Sequence, residues 1–411
     1  MFKRHILSDV NHYLQHFPAL LITGARQVGK STLALQLGIE HYLSLDDIAT
    51  YQSAKTDPKG FVLSLPDPVI IDEVQRVPEL FVAIKEQIDL DRRAGRFVLT
   101  GSSNLQGFKQ LSDSLAGRIG IIDLYALNLS ELWQTKYNVL EQLFADDMLQ
   151  TTATYPNVSE NVLLGGFPEV QKMPDAKTRL LWFTSYIRTY IERDVHDISN
   201  IRNLDHFMRL YLSLALRSSQ QLNKADLSKD CLIDAKTLDN YLMILRNTYQ
   251  IQLLAPYFHN ALKRLVKMPK LYMLDSGILC HLLKISDTRQ LLNSQHKGAI
   301  VETFVFTELI KANTYTERPV DLNYYRSSDG KEIDFILDNG MEKVALEVKT
   351  AFSVSANDFK PMRYFISQHP QPIKRGIVLY LGERPLPFGE HEGTPLWAMP
   401  LGALTGEDGS N

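Results

Sequence analysis

The chain has 411 residues, more than one ordinary core supports, so at least two domains are expected. Hydrophobic residues at 45% and charged residues at 22% exclude disordered, collagen-like and membrane-embedded classes. Its two cysteines, Cys231 and Cys280, exclude a disulfide framework and a four-cysteine metal site, and a net charge of -3 makes no global case for nucleic acid. The first unbroken apolar run, PALLI at 18–22, is too short for an export signal or a bilayer span, and no later run reaches that length. A cytoplasmic protein with no membrane partner is expected.

Over residues 1–135, short apolar runs (ALLITG, HYLSLDD, PVIIDE, RFVLTGSS) alternate with helical stretches after Gly29 and from Leu80 to Leu90. This pattern predicts βαβ units and an α/β domain with a parallel sheet. GARQVGKST, residues 24–32, matches G-x-x-x-x-G-K-[ST] after an apolar strand and at a helix start. Gly24, Ala25, Arg26, Gln27, Val28, Gly29, Lys30, Ser31 and Thr32 then form a P-loop for ATP or ADP: backbone N–H groups cradle phosphates, Lys30 meets the β/γ oxygens and Ser31 ligates Mg²⁺. PVIIDEVQ reads as a buried strand ending in Asp72, for the Mg²⁺ shell, and Glu73, which orients and activates water. After the next strand, Ser103 is placed to sense the γ-phosphate, with Ser102 equally suited by a slip of one residue. Arg118 in SLAGRIG fits either an arginine finger reaching a neighbouring subunit or a surface salt bridge. The finger would require a homo-oligomer, possibly a hexamer.

Residues 136–203 read as a helical connector, punctuated by Gly165, Gly166 and Pro168 in LLGGFPEV and expected to pack rather than react. In 204–275 three short helices and two apolar runs, IQLLAPYF and KLYML, suggest a winged helix. Asp234 can cap a helix whose Leu238, Tyr241, Leu242 and Leu245 share one face. Between Ile201 and Cys280 eleven Lys and Arg face six Asp. DNA contact is expected from the helix Ala235 to Arg246 and from Lys263, Arg264, Lys267 and Lys270; the competing reading is a packing module with a solvated basic face.

Residues 285–395 carry a helix containing Glu302, strands LNYYRS, EIDFIL and VALEVKT, a further helix, and the strand GIVLYLG. The strand pleat sends Glu347 and Lys349 to one face, and Asp334 lies on the adjacent strand. Asp334 and Glu347 are candidate ligands for Mg²⁺ or Mn²⁺, Glu302 would join through water, and Lys349 would neutralise a phosphate or orient water. The alternative is a hairpin whose strand ends happen to carry charge.

The motifs GARQVGKST, IIDE, LTGSS, LLGGFPEV, YIERDV, KLYMLDSGIL, EIDFIL and LEVKT, in this order, resemble those of prokaryotic AAA-type ATPases of the AAA_14 type with a C-terminal DUF4143 domain related to restriction endonucleases. The resemblance implies an AAA+ core, a winged-helix-like segment and a PD-(D/E)xK nuclease-like core, whose motif falls on Glu302, Asp334, Glu347 and Lys349. One departure is Ile333, where that motif has Pro before the Asp. An ATP-dependent DNA-processing enzyme that cuts is therefore expected, against an ATP-gated DNA-binding or regulatory switch that does not, or a signalling ATPase acting on protein partners.

Overall fold

The computed structural model describes residues 2–102, 116–147, 155–190, 203–257, 268–369 and 371–405. It divides into two compact units: Lys3–Ala126 with Met243–Gln250, and Met1–Phe2 with Leu127–Leu242 and Ile251–Asn411.

The first unit is built on a five-stranded sheet, order β2-β3-β4-β1-β5, with every pairing parallel. Its strands are β1 (Ala19–Thr23), β2 (His41–Ser44), β3 (Val69–Asp72), β4 (Phe97–Gly101) and β5 (Ile119–Asp123). The three inner strands are buried at every position, which is why they read as unbroken apolar runs, whereas β5 at the edge alternates. Leu21, Ile71 and Leu99 pack in one core with Phe81, Ile84 and Ile88 of the helix Leu80–Leu90. Each such buried side chain contributes about 1.5–3 kcal/mol. In register, Thr23 pairs with both Gly101 and Asp123, so β1, β4 and β5 end together. These carboxyl ends and the loop that follows β1 lie at one edge of the sheet, where open α/β sheets bind ligands.

In the second unit, helices Leu129–Leu132, Val139–Phe144, Tyr155–Leu164 and Ala176–Tyr190 precede a small three-stranded sheet. The strands β6 (Gln220–Gln221), β7 (Ile251–Leu254) and β8 (Lys270–Met273) run in the order β6-β8-β7, all antiparallel. Helices Leu204–Leu216, Lys224–Cys231 and Ala235–Asn247 accompany them. Asp234 caps the last, accepting from the backbone N–H of Lys236 and Thr237 at 3.0 Å each. Leu238, Tyr241, Leu242 and Leu245 are all buried.

The helix Lys297–Ala312 then leads into a six-stranded mixed sheet, order β13-β14-β12-β11-β10-β9. Strands β9 (Asp321–Arg326), β10 (Glu332–Asp338) and β11 (Lys343–Val348) form an antiparallel meander. After the helix Lys360–Gln368, β12 (Ile373–Tyr380) returns parallel to β11, and the hairpin β13 (Leu386–His391) and β14 (Thr394–Pro400) extends the sheet. The α-β-β-β-α-β order expected of this region is present, and the terminal hairpin is additional. Among the described residues no helix is long and apolar enough to cross a membrane.

Candidate functional site

The loop after β1 needs glycine for two separate reasons. Gly24 has φ +150, and a Cβ there would stand 2.1 Å from the carbonyl oxygen of Leu124; Gly29 has φ +100. Gln27, between them, is also left-handed at φ 61. Lys30, only 5% exposed, donates to the carbonyl oxygens of Gly24 at 3.0 Å and Ala25 at 2.8 Å. Ser31 Oγ donates to Asp72 Oδ1 at 3.0 Å, so the loop and the end of β3 meet directly.

Asp72 is 7% exposed and surrounded by hydroxyls: besides Ser31, Tyr42 OH donates to Oδ2 at 2.6 Å and Thr100 Oγ1 makes a close contact with Oδ1. Burial, then the bond and charge of Asp72, push the Tyr42 phenol up, which keeps it a donor. Glu73 sits at φ 59, a left-handed conformation rare for glutamate, and turns the chain out of the sheet. Its carboxylate accepts from Gln75 Nε2, which also donates to Ser102 Oγ at 3.0 Å. Ser102 therefore belongs to this cluster, while Ser103 lies outside the described residues. The register of β2, β3 and β4 brings Tyr42 and Thr100 here, and Gln75 follows from the short turn Val74–Arg76 after β3.

Arg118 lies just before β5, at the opposite end of the sheet from the loop and roughly 17 Å along the strand direction from Thr23. Its Nε binds Asp89 Oδ1 at 2.6 Å and its Nη1 the Ala116 carbonyl at 3.2 Å. The guanidinium thus occupies the salt bridge that sequence reasoning kept as one of two roles.

Behind the loop a second cluster was not anticipated. Thr23 Oγ1 lies 2.7 Å from Asp123 Oδ1 and 2.8 Å from Tyr249 OH, and Tyr249 also donates to Asp123. Burial, then Asp123, push the Tyr249 phenol up. The residue preceding Gly24 is held by a side chain 226 positions away, a separation no local pattern could reveal.

In the second unit the fold brings Glu302, Asp334, Glu347 and Lys349 together. Asp334 N donates to Glu347 Oε2 at 3.3 Å, Val348 N to Asp334 Oδ2 at 2.9 Å, and Lys349 Nζ to Glu347 Oε1 at 2.7 Å. Three further members are present. Lys270 Nζ stands 3.0 Å from Glu302 Oε1, 2.6 Å from Glu332 Oε1 and 3.2 Å from Asp334 Oδ1, and Tyr272 OH donates to Glu302 Oε1 at 2.6 Å. Burial, then Asp334, hold the Glu302 and Glu347 carboxyls well above the usual range. Burial alone would lower the Lys270 ammonium, yet Glu302, Asp334 and Glu332 hold it above its ordinary value. Among the described residues no group of three or more His, Cys, Asp and Glu has the arrangement of a metal site.

Lys270 also corrects an expectation. It was grouped with Lys263, Arg264 and Lys267 as a DNA contact, but it is 2% exposed and ion-paired, so it cannot meet a phosphate backbone. The other three lie outside the described residues, as does most of YIERDV. On the helix Ala235–Asn247, Lys236, Asp239 and Arg246 face solvent, with Asp239 paired to Lys224 at 2.7 Å. LLGGFPEV has the packing role expected: Gly166 N donates to the buried Asp275 at 2.8 Å, and a Cβ on Gly165, at φ +66, would stand 2.2 Å from that carboxylate.

Comparison with known proteins finds three matched stretches. Residues 16–133 match an AAA domain (AAA_14), residues 155–289 a domain of unknown function (DUF8612), and residues 297–402 another (DUF4143). The chain thus carries an N-terminal AAA domain and a C-terminal DUF4143 domain. Uncharacterized proteins of Mycobacterium bovis and Mycobacterium tuberculosis are each 26% identical over 390 residues, which is 94% of this chain and 82% of theirs. A Walker-type ATPase of Pyrococcus abyssi is 17% identical with a TM-score of 0.42, covering 69% of this chain and 96% of that one.

Proposed function

We propose that the AAA domain binds Mg²⁺ and ATP and hydrolyses the nucleotide, and that the chain works as an ATP-driven switch on nucleic acid. The observation that carries the first part is the contact of Ser31 with Asp72 at 3.0 Å, which joins the phosphate loop to the acidic strand end. In this reading the loop from Gly24 to Gly29 wraps the polyphosphate with its backbone N–H groups. Lys30 exchanges two carbonyl partners for phosphate oxygens, and charged acceptors bind an ammonium more strongly. A divalent cation fits between groups of this kind, because hydroxyls and a carboxylate offer hard oxygen donors. Ser31 and Asp72 would hold Mg²⁺, which when bound neutralises charge on the phosphate oxygens. Glu73, steadied by Gln75, aligns a water and takes its proton as the water adds to the γ-phosphorus and ADP leaves.

Lys30→Ala should abolish binding of a fluorescent ATP analogue. Glu73→Gln should keep that binding and lower phosphate release about a hundredfold or more, the usual contribution of a general base. Unchanged release in either variant would remove the reading.

The nucleic-acid part is supported by the order of residues 204–273, in which one helix, a short strand, two helices and two further strands follow one another as in winged helices. Exposed Lys236 and Arg246 are the contacts we assign. Reversing both charges should weaken duplex DNA binding and flatten its salt dependence; if affinity and slope stay put, the contact lies elsewhere. Metal-dependent cleavage at Glu302, Asp334, Glu347 and Lys349 is the competing reading, favoured by their convergence. With the Lys270 ammonium lying on Glu302, Glu332 and Asp334, these residues do not fit a divalent ion.

A further inference from the structure

We propose that Lys270 is the resident cation of the DUF4143 acidic cluster, so that the cluster is complete without a divalent metal and its ammonium bars one from entering. This inference does not depend on ATP hydrolysis in the other unit.

The ammonium has three N–H donors, and three carboxylates surround it, from the helix Lys297–Ala312 (Glu302) and from β10 (Glu332 and Asp334), at 3.0, 2.6 and 3.2 Å. A divalent ion sharing Glu302 and Asp334 would have to approach oxygens already bound to this charge and would be repelled by it.

Oxygens of Asp334 and Glu347 that do not touch Lys270 are also engaged. Asp334 Oδ2 accepts from Val348 N, and Glu347 accepts from Lys349 Nζ and Asp334 N. A hydrated Mg²⁺, which takes one or two carboxylates from a protein, would have to displace these donors or share their oxygens.

The lysine is not free to swing aside. Its side chain is 3% exposed, and its backbone lies in the central strand of the three-stranded sheet, paired with Gln221 on one side and Leu254 on the other. Two residues on, Tyr272 stacks on Phe306 with ring centroids 4.1 Å apart and binds Glu302. Lys270 and Tyr272 therefore tie β8 to the helix Lys297–Ala312 through the same carboxylate. The positive charge that a metal-dependent site takes from solvent is here supplied by the preceding segment of the chain, which makes the cluster a latch between that segment and the C-terminal sheet.

The test uses the full chain without nucleotide, so that nucleotide-linked metal binding is silent, and reads Mn²⁺ binding by electron paramagnetic resonance beside thermal melting. Wild type and Lys270→Arg should show the same weak Mn²⁺ binding as Asp334→Asn, and EDTA should leave the wild-type melting temperature unchanged. Lys270→Met should gain one Mn²⁺ per chain, and adding Asp334→Asn should remove it. Wild-type Mn²⁺ binding that falls on Asp334→Asn would overturn the proposal, and so would a folded Lys270→Met chain that gains no Mn²⁺. If Lys270→Met fails to fold by circular dichroism, the comparison of wild type with Asp334→Asn decides alone.

Discussion

Two carboxylate clusters in this chain differ in what neutralises them. In the AAA domain, Asp72 is held by the hydroxyls of Ser31, Tyr42 and Thr100, which are neutral donors whose oxygens keep lone pairs. In the DUF4143 domain, Glu302, Glu332 and Asp334 share the ammonium of Lys270. Hydroxyls satisfy a carboxylate without cancelling its charge, so the first cluster still attracts a cation. An ammonium also places a fixed positive charge among the oxygens that a metal would need, so the second is closed to a further cation. Acidic residues of the right type brought together are therefore not enough to indicate a metal site; the neighbouring donors decide.

The largest expected effect sets the clusters directly against each other. Asp72→Asn should lower ATP hydrolysis about a hundredfold or more, whereas Asp334→Asn should leave hydrolysis within twofold of wild type. Equal losses in both would mean that the two clusters act as one site. A smaller effect is expected of Gln75→Ala, which frees the Glu73 carboxylate from its tether: turnover should fall about tenfold with KM unchanged. A rise in KM alone would reassign Gln75 to binding. Tyr42→Phe removes one of three hydroxyls from Asp72, and about one hydrogen bond's worth of stabilisation, ~1 kcal/mol, should appear as a several-fold higher Mg²⁺ requirement.

The closed cluster should also show itself in the pH dependence of stability. Burial and Asp334 hold Glu302 and Glu347 above their ordinary value of 4.5, Glu347 up to about 8. Between these limits the folded chain binds more protons than the unfolded chain, so stability falls as pH rises from about 4.5 towards about 8. Melting temperatures measured from pH 5 to 8 should fall less steeply in Glu347→Gln than in wild type. Parallel slopes would remove the carboxyl as their source.

The AAA site was largely legible in the sequence because its parts are local. Gly24 to Gly29 form one loop, Lys30 and Ser31 open the helix that follows, and Asp72 and Glu73 end an apolar run whose length marks a buried strand. Convergence in the second site was legible through the strand pleat, which places Glu347 and Lys349 on one face, and through the adjacency of Asp334. Lys270 was not legible: it sits 64 positions from Asp334 in a basic stretch, and a lysine there reads as solvated until β8 is folded against Glu302. Tyr249 escaped for the same reason, since only tertiary structure sets it on Thr23. The hairpin of β13 and β14 was not anticipated; Pro387 and Gly389 weaken the strand pattern of β13, which lies at the sheet edge where both residue types are tolerated.

The most direct test of the contrast is a Mn²⁺ titration of the wild-type chain, followed by electron paramagnetic resonance with and without a non-hydrolysable ATP analogue. One Mn²⁺ per chain is predicted with the analogue, lost in Asp72→Asn and kept in Asp334→Asn, with only weak binding when nucleotide is omitted. A tight Mn²⁺ that binds without nucleotide and disappears in Asp334→Asn would contradict it.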